Sequence, residues 1–180
     1  MVIFFMSHLN VEIKAKCRDP KSIREYLLER RADYKGLDLQ TDTYFNVPTG
    51  RLKLRQGNIE NNLIYYNRND QPGPKSSKFS LVKVVDVKGF KQVLEESCGI
   101  KMIVTKMREI YYLENVKFHI DEVPGLGNFV EIEAGNILAD KSEKELLEQC
   151  YFYLREFEIK ESDLIAESYS DMLLRLKETT

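Results

Sequence analysis

The chain carries almost no excess charge: 27 basic residues stand against 29 acidic ones, a net charge of -2. That balance argues against a general nucleic-acid or anionic-membrane surface, although it leaves room for a local basic pocket. Cysteine is scarce. Cys17, Cys98 and Cys150 are odd in number, far apart and without metal-ligand spacing, which suits free, buried thiols in a reducing cytosol. No run approaches the ~20 apolar residues of a membrane-spanning helix. The apolar opening Met1-Val2-Ile3-Phe4-Phe5-Met6 has no basic segment before it and is too short for a signal peptide. A cytoplasmic address is therefore expected. Repeats, low-complexity tracts and linkers are also missing. The 180 residues, 43% hydrophobic and 31% charged, read as one domain large enough to bury a good core.

What the chain does have is charge at period two. In Asn10-Val11-Glu12-Ile13-Lys14-Ala15-Lys16 the odd positions are apolar and the even ones polar or charged. A strand sends successive side chains to opposite faces, so this segment has one apolar and one charged face. The pattern recurs in Arg51-Leu52-Lys53-Leu54-Arg55, in Lys117-Phe118-His119-Ile120-Asp121 and in Val130-Glu131-Ile132-Glu133. Such faces could line one polar cavity. Solvated faces of antiparallel strands alternate in the same way.

Other elements follow from caps and breakers. Asp19 and Pro20 open a helix with Ile23, Leu27 and Arg31 on one stripe, ended by Gly36. Residues 37–48 favour a strand through Thr41, Thr43, Tyr44, Phe45 and Val47. Strands are expected at 51–55 and 63–68 around a polar hairpin loop, then a loop over 69–77 and a strand over 79–85. A short helix holds Phe90, Val93 and Leu94 and is closed by Gly99, before strands at 101–113, 116–123 and 129–134. Ser142 with Glu145 forms a capping box opening a helix through Leu146, Cys150, Tyr153 and Leu154. A last helix is expected from about Ser162. The whole reads as an α+β fold dominated by antiparallel strands.

The charged residues suggest a chemistry. Mg²⁺ and Mn²⁺ take hard oxygen ligands, which Glu12, Glu131 and Glu133 could supply from neighbouring strands. Lys14, Lys53, Arg55, Arg68, Lys106 and Arg108 are cations on expected strands, suited to phosphate oxygens. Carboxylates on one side and cations on the other match a metal-bridged polyphosphate.

Val11-Glu12-Ile13-Lys14 closely resembles the first-strand Glu-x-Glu-x-Lys signature of the CYTH family, the triphosphate tunnel metalloenzymes. Arg51 to Arg55, Lys106-Met107-Arg108, and the run from Phe118 through Gly125-Leu126-Gly127 to Glu133 are similar to later family motifs, in the same order. Glu167-Ser168-Tyr169 resembles the last element. The resemblance implies an eight-stranded antiparallel β-barrel forming a tunnel, with helices packed outside. It implies a Mg²⁺- or Mn²⁺-dependent enzyme acting on a small-molecule triphosphate or nucleotide. By the same resemblance Glu12, Asp121, Glu131 and Glu133 hold metal, and Lys14, Lys53, Arg55, Arg68, Lys106 and Arg108 bind phosphate. Glu12, Lys14, Arg55 and Arg108 are the candidate catalytic residues. The family's first glutamate is Asn10 here, which can ligate but brings no charge, and Ser170 stands where some members are basic.

Three functions remain open at this point. They are a triphosphatase acting on inorganic or thiamine-like triphosphate, a class IV adenylyl cyclase, and a polyphosphate- or nucleotide-binding module without turnover. His119 reads either as a structural part of the tunnel wall or as a proton relay. Lys75 and Lys78, beside the Pro-rich loop, read as solvated or as gating a tunnel mouth. The tyrosines of the strands could stack on an organic ring. No nucleic-acid or membrane partner is expected.

Overall fold

A computed structural model describes residues 8–67, 72–136 and 140–178. The strands are β1 (His8–Lys16), β2 (Asp33–Phe45), β3 (Arg51–Gln56), β4 (Asn62–Asn67), β5 (Lys75–Lys83), β6 (Ile100–Leu113), β7 (Val116–Val123) and β8 (Gly127–Gly135). They close into one antiparallel barrel in the order β1-β5-β4-β3-β2-β6-β7-β8. The helices are α1 (Pro20–Glu29), α2 (Val87–Cys98), α3 (Glu143–Glu156) and α4 (Tyr169–Glu178). Among the described residues no helix is long and apolar enough to cross a membrane.

The alternation of β1 resolves into inside and outside. Val11, Ile13 and Ala15 point outward and are almost wholly buried against Ile23 and Leu27 of α1 and Leu146, Cys150 and Tyr153 of α3. With the apolar face sealed by helices, Asn10, Glu12 and Lys14 are left to line the interior. Much of the core therefore lies between barrel and helices, and the barrel lumen holds the charged side chains of several strands beside a few apolar ones.

Several boundaries differ from the sequence reading. The helix after Pro20 stops at Glu29, and Gly36 sits within β2, where the pairing with β6 slips at a bulge. Gly36 has φ 122°, which its lack of a Cβ permits. β5 begins at Lys75, because Lys75 pairs with Glu12 in the β1 ladder. Lys75 is accordingly buried, its Nζ donating to the Ala166 carbonyl at 2.9 Å, and is not a solvated loop lysine. The last helix starts at Tyr169. A single 3-10 turn spans Glu161–Asp163, and the next residues run extended, with the Ile165 N–H donating to the Lys14 carbonyl at 2.8 Å. Leu164 and Ile165 have helical spacing with the later leucines, but β1 offers them a strand-like partner. Cys17 and Cys150 are buried thiols, whereas Cys98 at the end of α2 is only half-buried.

Candidate functional site

The lumen encloses about 530 Å³, within the range of small-molecule sites. Its acidic wall comes from β1, β7 and β8. In the β1–β8 ladder Glu12 lies directly opposite Glu133, Lys14 opposite Glu131, and Asn10 opposite Gly135. Like charges directly opposite on one face of a sheet repel, so the Glu12–Glu133 pair favours a cation between them. β7 adds His119, whose Nδ1 lies 3.4 Å from Glu131 Oε2 and 3.4 Å from Glu133 Oε1. One ligand atom from each of these three residues falls within 4.8 Å of the others. Carboxylate oxygens with one imidazole suit a divalent ion, so the residues present fit the metal that the resemblance implies.

Glu131 joins this wall to a charged layer beneath. It meets Lys14 Nζ at 3.3 Å and Arg108 Nη2 at 2.7 Å. Burial alone would raise its pKa, but Arg108 and Lys14 outweigh that and hold it well below the usual carboxylate range. Arg108 is fully buried and forks onto Asp121 through Nε at 2.7 Å and Nη2 at 2.5 Å. The second oxygen of Asp121 also accepts from the Tyr169 hydroxyl at 2.8 Å. Asp121 thus has both oxygens engaged.

The basic wall comes from β3 and β6, and one carboxylate on β2 organises it. Asp42, 1% exposed, accepts from Lys53 Nζ at 3.0 Å, Lys106 Nζ at 3.0 Å, and Arg55 Nε at 2.9 Å. Burial opposes its charge, yet Arg55, Lys106 and Lys53 together keep Asp42 well below the normal range. Lys106 pays the opposite toll: burial and then Arg108 pull its ammonium down to about 7 despite Asp42.

A third anion enters from the β3–β4 hairpin. Asp38 accepts from the Ile59 and Glu60 backbone N–H groups at 2.9 and 3.0 Å, folding the loop inward. Glu60 is thereby set between Arg55 Nη1 at 2.9 Å and Lys117 Nζ at 2.5 Å. This carboxylate competes with any anionic ligand for both cations. Glu60→Gln is expected to tighten binding of inorganic triphosphate about tenfold, the worth of one charged hydrogen bond. Titration calorimetry of wild type and variant reads this directly, and weaker binding by the variant would instead make Glu60 a support for Arg55 and Lys117.

Of the residues singled out in the sequence, Glu12, Lys14, Lys53, Arg55, Lys106, Arg108, Glu131 and Glu133 all line this one cavity. Asp121 lies behind Arg108, away from the lumen surface. Arg68 lies outside the described residues. Asp42, Glu60 and Lys117 were not singled out as site residues. Asp38, Gln40 and Asp42 alternate along β2 and carried a readable signal, whereas nothing periodic marks Glu60 in its loop.

The chain matches the CYTH domain over residues 8–169. It belongs to the CYTH domain family. A relative from Methanocaldococcus jannaschii, named a putative adenylate cyclase, is 29% identical over 91% of this chain and 98% of its own. A solved Pyrococcus horikoshii protein has a TM-score of 0.71 at 26% identity, covering 92% of this chain and 98% of its own. A Hippeastrum putative adenylyl cyclase, described as having a dominant triphosphatase activity, shares the fold with TM-score 0.59 and 14% identity over 95% and 96% of the two chains. The barrel of this CYTH domain places its acidic cluster and its cations in one cavity.

Proposed function

We propose that this CYTH domain is a divalent-metal-dependent triphosphatase, hydrolysing inorganic triphosphate or a small organic triphosphate in the tunnel. One observation carries the reading: Glu12 and the His119, Glu131 and Glu133 cluster share a single cavity with Lys53, Arg55 and Lys106, and Arg108 is bonded to Glu131 in the same lining. Glu12, Glu131 and Glu133 would hold the ion, and Mg²⁺ or Mn²⁺ there supplies charge neutralisation and activates water. Lys14, Lys53, Arg55 and Lys106 bind the phosphate oxygens, and the burial of Lys14, Arg55 and Lys106 strengthens each contact. Among the described residues, cations and carboxylates of the tunnel and its lining balance almost one for one. A bound triphosphate therefore needs cations beyond those of the protein, which supports metal dependence. The dominant triphosphatase activity of the Hippeastrum relative supports the same chemistry.

One feature favours a second reading. Ile64, Phe79 and Leu81 on β4 and β5 form an apolar strip across from the charged walls. An aromatic or organic group would lie there, as in a cyclase that turns ATP into cyclic AMP and pyrophosphate, and the M. jannaschii relative carries a cyclase name.

The test is phosphate release from inorganic triphosphate with Mg²⁺ or Mn²⁺. Release that needs metal and falls about 10²- to 10³-fold in Glu131→Gln supports hydrolysis at these carboxylates. Absence of release together with cyclic AMP from ATP would select the cyclase. Tight binding with neither product would leave a binding module, in which Asn10→Glu should restore turnover.

A further inference from the structure

His119 is the one buried side chain of the acidic cluster that is not a carboxylate, and it is 1% exposed. Its Nδ1 stands 3.4 Å from a carboxylate oxygen of Glu131 and 3.4 Å from one of Glu133, too long for two good hydrogen bonds and well suited to share an ion. Ligand atoms bonded to one ion at roughly 2.0–2.2 Å stand about 3–4 Å apart. Nε2 is buried with no hydrogen-bond partner among the described residues. With Nε2 sealed from any partner among these residues, Nδ1 is the ring atom turned toward the two carboxylates. The positive charges around the cluster are already committed. Lys14 and Arg108 are held by Glu131, and Lys117 by Glu60, so none of them replaces an ion between Nδ1 and the two carboxylates.

We propose that His119 is a direct nitrogen ligand to the tunnel metal, giving a mixed imidazole–carboxylate site that prefers Mn²⁺ and later divalent ions such as Co²⁺ or Zn²⁺ over Mg²⁺. This rests on the metal-dependent reading above and deepens it. Mg²⁺ is a hard ion that takes oxygen and water, whereas imidazole suits the borderline transition ions, whose affinities climb along the first row. An oxygen-only site would show much less of that discrimination.

The experiment uses the full chain stripped of metal with chelator, then loaded with Mn²⁺ and read by electron paramagnetic resonance. Wild type is expected to bind Mn²⁺ about tenfold or more tightly than Mg²⁺, by Mg²⁺ competition against the free-Mn²⁺ signal. Its pulsed spectrum should carry the nitrogen modulation of a coordinated imidazole. The chain has only two histidines, the other being His8, so the assignment needs one substitution. In His119→Gln the modulation should vanish and Mn²⁺ affinity fall about 10- to 100-fold. His8→Gln should keep the modulation. Bound Mn²⁺ without imidazole modulation in the wild type would overturn the inference and leave the metal-dependent reading standing, whether or not the variant folds. No bound Mn²⁺, with or without inorganic triphosphate, would overturn both.

Discussion

Asp42→Ala is expected to lower folding stability by about 3–5 kcal/mol and to abolish measurable binding of inorganic triphosphate. The magnitude is that of breaking a buried ion pair from one side, which leaves charge without compensation. Asp42 is the shared acceptor of Lys53, Arg55 and Lys106. Without it, Arg55 keeps Glu60, but Lys106 is left buried among cations. The pH dependence gives the mechanism away. Burial and Arg108 already depress the Lys106 ammonium to about 7 from a free value of 10.5, and losing Asp42 depresses it further. The unfolded chain then binds more protons than the folded one across the range from neutral to 10.5, so stability rises with pH there. The gain in stability from pH 6 to pH 9 should be distinctly larger in the variant than in the wild type, whose Lys106 at about 7 already gives part of it, by urea denaturation. Asp42→Asn, which keeps an acceptor but no charge, should share that slope. A loss below 1 kcal/mol with a pH slope no steeper than that of the wild type would mean that Asp42 does not organise the basic wall.

That carboxylate also marks where sequence reading stops. The charged faces of β1, β3, β7 and β8 were legible because each alternates against an apolar face that the helices then bury, whereas β6 showed Lys106 and Arg108 against a mixed outer face whose Ile103 and Met107 stay 44% and 37% exposed. Period two cannot say which face is the lumen and which the solvent. The apolar residues Val11, Ile13 and Ala15 decide it, once α1 and α3 cover them. β2 breaks the rule. Its acids at 38 and 42 alternate readably with Leu37 and Leu39, but those leucines stay 44% and 59% exposed, so the apolar face does not mark the outside as it does on β1. Glu60 was illegible for a different reason. It reaches the lumen because Asp38, far from it in sequence, captures two backbone N–H groups of its loop. Contacts of that kind have no local signature, and neither does the capture of Leu164 and Ile165 by β1, which delays α4 to Tyr169.

Arg108→Met should be the most damaging change that preserves side-chain volume, costing about 3–5 kcal/mol near pH 8 in chelator. Arg108 is the largest of the fully buried side chains and the cation that faces both Asp121 and Glu131. In the wild type Asp121 lies below its free value of 3.8: burial opposes this, and Arg108 outweighs burial. A depressed carboxyl contributes stability that is present above about 4 and lost as the pH falls further. Removing Arg108 leaves burial and the like charge of Glu131 to outweigh Lys106, so the folded value moves above 3.8. The sign then inverts: the folded variant binds the extra proton, and its stability falls as pH rises from about 4 through that value. Asp121 should therefore leave the wild type flat between pH 4 and 7, while the stability of the variant falls across that range. Glu131 keeps Lys14 as a partner, so the inversion belongs mainly to Asp121. The double variant Arg108→Met with Asp121→Asn should recover part of the lost stability and flatten the profile, a coupling that only contacting residues show. A variant as flat as the wild type between pH 4 and 7, or a cost under 1 kcal/mol as for an exposed pair, would mean that Arg108 and Asp121 do not form the buried support on which Glu131 is positioned.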